Sequence, residues 1–252
     1  MRWKFTHASV TGTSHTERGE DGQDFSRAGT VQIGESEYFI GIAADGAGST
    51  SDGGRGAEIA CRTLFEKIVA TIRDIPVLSD ISDEDIRGWV TAARDAIATT
   101  SQDDGKRLRE YASTILGSVA GNDHAIYFQI GDGAIVAGTG QGYETIFWPE
   151  QGEYANSTYF ITDEQYMALL SLRHAEAPEE IALFTDGLQT LVLSFSEKRA
   201  HAGFFRPLFD ALRLSGDEVP GFSAQLETFL SRDDISRRSD DDKTLVLAVR
   251  TG

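Results

Sequence analysis

A single cysteine, Cys61, occurs in 252 residues, so no disulfide can form within the chain. It lies in GAEIACRTLFEKI, which reads as a helix, and that setting predicts a buried, unreactive thiol. Proline is scarce, with five residues, and no Pro/Ser-rich stretch or charge block marks a linker. No segment recurs at solenoid periods. These absences predict one domain over residues 1–252. Long apolar runs are missing as well: none reaches membrane-spanning length, and the opening MRWKFTHASV has no signal-peptide core. A soluble, cytoplasmic protein is expected.

Positive charge is in deficit, with 23 Lys and Arg against 40 Asp and Glu, a net charge of −17. Phosphate backbones and anionic lipid surfaces bind clustered Lys and Arg, so neither nucleic acid nor a membrane is an expected partner. Zinc-like His/Cys spacing is also absent. What remains is a surplus of carboxylates. Most are ordinary solvated surface, but the surplus suits a site that collects divalent cations.

Trp3 to Val10 alternates apolar and polar residues like a half-buried strand, whereas YFIGIAA (Tyr38–Ala44) reads as a strand covered on both faces. The polar TGTSHTERGEDGQD between them reads as a loop. Helices are predicted from about Arg55 to Thr71 and from Asp83 to Thr99, the latter with Ser82 as N-cap and Asp85 completing a capping box. Thr114–Ala120, Ala125–Ile130, Ala134–Gly138 and Tyr143–Trp148 read as strands joined in antiparallel hairpins. A strand at Ile181–Thr185, helices at Leu188–Ser194, Phe204–Leu214 and Phe222–Leu230, and a closing strand, TLVLAV (Thr244–Val249), complete the pattern. Sheets packed together and covered by helices are expected.

Asp-Gly ordinarily marks a turn. Asp45-Gly46, however, follows FIGIAA directly, and Asp186-Gly187 follows IALFT directly, so both carboxylates stand where a buried strand leaves the core. Asp241 precedes the final buried strand. Three aspartates at three strand ends could converge on one mouth of the sheet. Carboxylates and glycine carbonyls are hard oxygen donors, favouring magnesium, manganese or calcium over zinc. Glycine after the aspartate leaves the carbonyl open to a metal.

The ordered set Gln23-Asp24, ADGAGS (Ala44–Ser49), GDG (Gly131–Gly133), FTDG (Phe184–Gly187) and DDKT (Asp241–Thr244) resembles the type 2C, or PPM, protein phosphatase signature. There the corresponding elements are an E/N/Q-D pair, DGxGG, GDS, SDG or TDG, and DNxT. Each motif alone is weak; five in order across nearly the whole chain are specific. The resemblance implies an α+β fold, a four-layer α-β-β-α sandwich of two mostly antiparallel sheets flanked by helices. It also implies hydrolysis of phosphoserine and phosphothreonine in a protein substrate, with two manganese or magnesium ions and a weaker third ion. Asp45 would bridge the two metals, the Gly46 carbonyl would hold one, and Asp186 and Asp241 the other. Gln23 would contact metal-bound water. Glu110 stands where relatives carry an acidic residue for the third ion, but by itself it reads as solvated surface rather than as a ligand. A cognate serine/threonine kinase would be the opposing partner.

The chain departs from the pattern in several places. Relatives commonly carry an arginine four residues before the QD-type pair; here that position is Gly19, with Arg18 beside it and His15 close. Either Arg18 or His15 contacts the phosphate, or the loop is exposed and without a role. Ala47 replaces a histidine that in some relatives protonates the leaving group, leaving His15 or a metal-bound water for that task. Thr190 breaks the DGxxD form. GDG reads as a hairpin turn between AIYFQI and AIVAG, with Asp132 outside the catalytic set, and His124, His174 and His201 show no partner pattern. Two competing readings are a catalytically weak relative that binds a phosphoprotein or acts as a regulatory module, motivated by the missing arginine, and a two-metal nuclease, which the acidic balance opposes.

Overall fold

YFIGIAA forms the middle of a strand whose alternate residues enter different cores. A computed structural model describes residues 1–140, 142–149, 158–215 and 219–252. In β3 (Ser36–Asp45), Tyr38, Ile40, Ile42 and Ala44 face one apolar cluster, while Phe39 and Ala43 face another. Successive side chains of a strand point to opposite sides, so a strand apolar on both parities needs a packed layer on each face. The same split recurs in β12 (Lys243–Thr251): Leu245, Leu247 and Val249 point one way, Val246 and Ala248 the other.

Two five-stranded antiparallel sheets result. One has the order β2 (Asp24–Ile33), β3, β4 (Ile115–Ala120), β5 (His124–Ile130) and β8 (Ser171–Glu176). The other runs β1 (Arg2–Val10), β12, β9 (Glu180–Phe184), β6 (Ala134–Thr139) and β7 (Gly142–Phe147). Trp3, Phe39, Leu116, Tyr127, Leu183 and Val246 fill the space between the sheets. Helices α2 (Gly53–Asp74) and α3 (Asp83–Asp103) cover the first sheet, and α5 (Ala202–Leu214) and α6 (Val219–Leu230) the second. The four-layer α-β-β-α sandwich is therefore observed. No described helix is long and apolar enough to cross a membrane.

The Ser82–Asp85 capping box opens α3 as expected, and Cys61 is buried inside α2. Several local readings need correction. The stretch read as a loop contains one helical turn, α1 (Thr13–Thr16), and ends in β2, whose small and polar residues hid its strand character. The run after Leu188 is not one helix to Ser194. It divides into α4 (Gln189–Val192) and β10 (Leu193–Ser194), which pairs with β11 (Arg199–Ala200). A further turn, α7 (Asp233–Ser236), precedes β12. Most consequentially, GDG is not a hairpin: β5 pairs with β4 and β8, whereas β6 pairs with β7 and β9. Gly131–Gly133 carries the chain from one sheet to the other.

Phe39 is fully buried between the sheets, its ring 5.7 Å from Trp3 and 6.1 Å from Phe5. Truncation there should open a cavity that neither sheet can close. Phe39→Ala is expected to cost about 3–5 kcal/mol in urea unfolding, and Ser82→Ala about 1 kcal/mol. Equal, small losses would mean that the inter-sheet layer is not the core it is taken to be.

Candidate active site

Antiparallel pairing decides where the acidic residues meet. β3 and β9 end at the same rim of the sandwich at which β2 and β12 begin. In register, Asp24 faces Asp45 across β2–β3, and Phe184 faces Leu245 across β9–β12. One sheet thus contributes Asp24 and Asp45, and the other Asp186 and Asp241. The crossing segment adds Asp132, whose charge acts on Asp45 and Asp186 and which Asp241 in turn acts on. A cleft of about 440 Å³ opens there, lined by His15, Asp45, Gly46, Phe160, Asp186 and Asp241 among others.

The backbone at this rim is tied down closely. Thr114 brackets Asp45: its hydroxyl accepts from the Asp45 N–H at 2.9 Å and its own N–H donates to the Asp45 carbonyl at 2.8 Å. Ala47 N–H donates to the Ala112 carbonyl at 2.9 Å. A side chain on Gly46 would collide with the Gly53–Gly54 backbone at the start of α2, and one on Gly187 with the Asp242 carbonyl. Both glycines of the Asp-Gly pairs are therefore required for close chain approach, in addition to any ligand role. The buried Thr185 hydroxyl donates to Asp24 Oδ2 at 2.7 Å and accepts from Thr244 N–H at 3.1 Å, joining three strands from both sheets.

Electrostatically the rim is strained. Burial, then the charges of Asp24, Asp186, Asp241 and Asp132, push the Asp45 carboxyl well above the usual range. Burial raises Asp24 to about 7, against the lowering effect of its hydrogen bond from Thr185. Burial, then Asp132 and Asp241, raise Asp186 to about 8. Asp132 is also raised, chiefly by burial. Asp24 Oδ1 and Asp132 Oδ1 are buried without a hydrogen-bond partner. Such a set of orphaned, mutually repelling oxygens fits a hard divalent cation. Among the described residues no three His, Cys, Asp or Glu side chains already close around one point. Magnesium-like ions keep several waters and need only one or two carboxylates each, so an open rim of oxygen donors suits them.

The loop before β2 is organised by Asp242, which sequence reasoning passed over as the neighbour of Asp241. This buried carboxylate accepts from the N–H of Gly12 at 2.6 Å and of Gln23 at 2.5 Å, and from His15 Nδ1 at 3.0 Å. His15 is buried at the cleft wall. The Gln23 side chain, with its amide nitrogen turned toward them, donates to the carbonyls of Gly46 at 3.2 Å and Ala47 at 3.0 Å. It lines a neighbouring groove with Asp24 and Gly48 rather than the aspartate cleft. Arg18 is not brought to the cleft: its half-exposed side chain pairs with Glu20 at 2.8 Å. Glu110 pairs with Arg107 at 2.6 Å, and Thr190 is exposed on α4.

Asp24 and Asp132 are thus two members of the acidic cluster that were not counted from sequence. Asp24 was legible as the second letter of the QD pair, whereas Asp132 was concealed by the hairpin reading. His124 and His174 do have partners: His124 Nε2 lies 3.0 Å from His174 Nδ1, and His174 Nε2 lies 3.3 Å from Asp83. This pair sits on β5 and β8, and His201 stands at the N-cap position of α5 without a side-chain capping bond. None of the three lines the cleft.

Comparison with known proteins places this geometry. The protein phosphatase 2C family model matches residues 11–231. A protein named serine/threonine-protein phosphatase 3, from Escherichia coli strain K12, is 32% identical over 252 residues, covering 99% of each chain. The crystal structure of the serine/threonine phosphatase Stp1 from Staphylococcus aureus superposes with a TM-score of 0.62 at 14% identity, over 100% of this chain and 96% of that one. The catalytic domain of the phosphatase PstP, solved with two manganese ions, superposes with a TM-score of 0.59 at 15% identity, over 98% of this chain and 97% of that one. Fold, motif order and homology agree: the chain belongs to the protein phosphatase 2C family.

Proposed function

We propose that this type 2C phosphatase hydrolyses phosphoserine and phosphothreonine in protein substrates, using two manganese or magnesium ions. The observation that carries the reading is the convergence of Asp45, Asp186 and Asp241 in one cleft, from different sheets, with the carboxyls of Asp45 and Asp186 pushed up by burial and by neighbouring carboxylates. Asp45 would serve both ions, the Gly46 carbonyl one of them, and Asp186 and Asp241 the other. Gln23, whose main-chain carbonyl accepts from Gly46 N–H at 3.2 Å, steadies the Gly46 segment, and it would contact metal-bound water. When bound, the ions supply a hydroxide near neutral pH and neutralise charge on the phosphoryl group. The two-metal phosphatase named in the structural comparison is consistent with that assignment.

Residues 1–252 act as one phosphatase domain in this reading. The first and last strands, β1 and β12, pair along their whole length, from Arg2–Thr251 to Val10–Lys243. The substrate is a cytoplasmic phosphoprotein, and the opposing enzyme a serine/threonine kinase. A third ion has no support from Glu110, which is held in a surface pair with Arg107. One observation favours the weaker-relative reading: no Arg or Lys is among the described residues that line the cleft.

Turnover separates the two. Manganese-dependent hydrolysis of p-nitrophenyl phosphate and of a phosphothreonine peptide is expected. Asp45→Asn should lower kcat/KM on both by about a thousandfold or more, on the order of 4 kcal/mol. No turnover at any metal concentration would leave the binding-module reading in place.

A second expectation follows from the carboxyl shifts. The fold favours the protonated form of an acid whose pKa it raises. That stability is present at low pH and is lost as pH rises through the folded-state values, about 7 for Asp24 and about 8 for Asp186. Chelator-treated protein should therefore melt several degrees lower at about pH 8.5 than at about pH 6, and saturating manganese should raise Tm more at the higher pH. A metal response of equal size at both pH values would contradict cation binding to these carboxylates.

A further inference from the structure

A serine or threonine alkoxide is a poor leaving group, and its departure from phosphorus is aided by a proton donor within reach. Among the described residues, the ionisable side chains that line the cleft are Asp45, Asp186, Asp241 and His15. The three aspartates are assigned to cations, and the hydroxyls of Ser49 and Thr158, which also line it, hold their protons too tightly to serve. Among the described lining residues, His15 is the remaining group with a transferable proton.

Its setting is built rather than incidental. The single turn α1 carries His15 into the wall, where it is 4% exposed. Nδ1 lies 3.0 Å from Asp242 Oδ1, and Asp242 is 2% exposed. Because the carboxylate also receives the N–H groups of Gly12 and Gln23, it fixes both the loop and the ring in one arrangement. With Nδ1–H directed at Asp242, the ring presents Nε2 at its other end. Nε2 is buried and has no hydrogen-bond partner. It sits beside the Ala47–Ser49 loop, where a side chain on Gly48 would come within 3.8 Å of it. A buried ring nitrogen without a partner, on the wall of a reaction cleft, costs free energy unless a ligand completes it.

We propose that His15 is the catalytic acid of this enzyme, delivering a proton from Nε2 to the departing oxygen, and that Asp242 is the residue that positions it. This rests on the phosphatase reading above. In the step, the ester P–O bond breaks and its electron pair stays on the serine or threonine oxygen, which takes the Nε2 proton. The ring, protonated on both nitrogens before the step, is left as neutral imidazole; the oxygen of the attacking water forms the new bond to phosphorus, and the proton that water loses restores the imidazolium. One ester and one water become one alcohol and one phosphate.

The test compares leaving groups. His15→Asn keeps a donor toward Asp242 and removes Nε2; Asp242→Asn keeps the shape of the side chain and removes its charge. On a phosphothreonine peptide, His15→Asn should lose about 10²–10⁴-fold in kcat and Asp242→Asn about ten- to a hundredfold, whereas on p-nitrophenyl phosphate, whose phenolate leaves unaided, both should lose less than about tenfold. Retained p-nitrophenyl phosphate turnover also shows that the variants are folded. Independently of turnover, the magnesium-bound protein should show a downfield, slowly exchanging imidazole N–H proton resonance that is absent in both variants. Equal losses on the two esters, a change confined to KM, or no loss at all would overturn the assignment. If the native chain hydrolyses neither ester with manganese, the phosphatase reading itself fails; intact native turnover with leaving-group-independent variants sinks only the role of His15.

Discussion

Mutual repulsion among buried carboxylates at one rim of the sandwich is the constraint on which the rest of the structure turns. Asp45 stands among Asp24, Asp132, Asp186 and Asp241, and neither Arg nor Lys is among the described cleft-lining residues. Unpaired buried charge of one sign costs several kcal/mol per group without compensation. The fold tolerates it because the aspartates sit at the ends of strands already fixed by cores on both faces, and because divalent cations can offset the repulsion. Antiparallel pairing supplies the convergence: strands that leave the rim lie beside strands that enter it, so each neighbouring pair can offer two positions there.

Around that rim the backbone is restrained by contacts that need particular residues. Thr114 brackets Asp45, Thr185 links Asp24 to β12, and the glycines after Asp45 and Asp186 admit α2 and the Asp242 carbonyl at close range. Lys243, fully buried, donates to the carbonyl of Asp241 at 2.8 Å and so holds the start of β12. Asp242 does the same for the loop before β2 and couples it to His15. Placement of the reactive groups is thus spread over both sheets and the loops between them.

Much of this was legible in the sequence. Apolar runs such as FIGIAA and TLVLAV announced strands buried on both faces, and the Asp-Gly pairs directly after two of them marked the rim. Motif order added the architecture. What stayed hidden depends on tertiary partners. Three residues between two strands fit a hairpin as well as a crossing between sheets, so Asp132 was set aside on a turn reading that only pairing could correct. β2 carries Ser, Arg, Gly, Thr and Gln, a composition that does not advertise a strand. Arg18 and His15, three residues apart, were indistinguishable as phosphate-side candidates until one helical turn sent His15 inward and left Arg18 paired at the surface. Asp242 looked like a variant letter in a motif; its three donors come from residues more than two hundred positions away.

The central claim is that this rim is a two-cation centre, and the most direct measurement is an anomalous difference map from crystals of the manganese-loaded protein. Two peaks roughly 4 Å apart, with Asp45 reaching both, are expected in the cleft. Asp186 and Asp241 should hold one ion and the Gly46 carbonyl the other. An empty cleft at saturating manganese, or peaks bound elsewhere on the acidic surface, would contradict it.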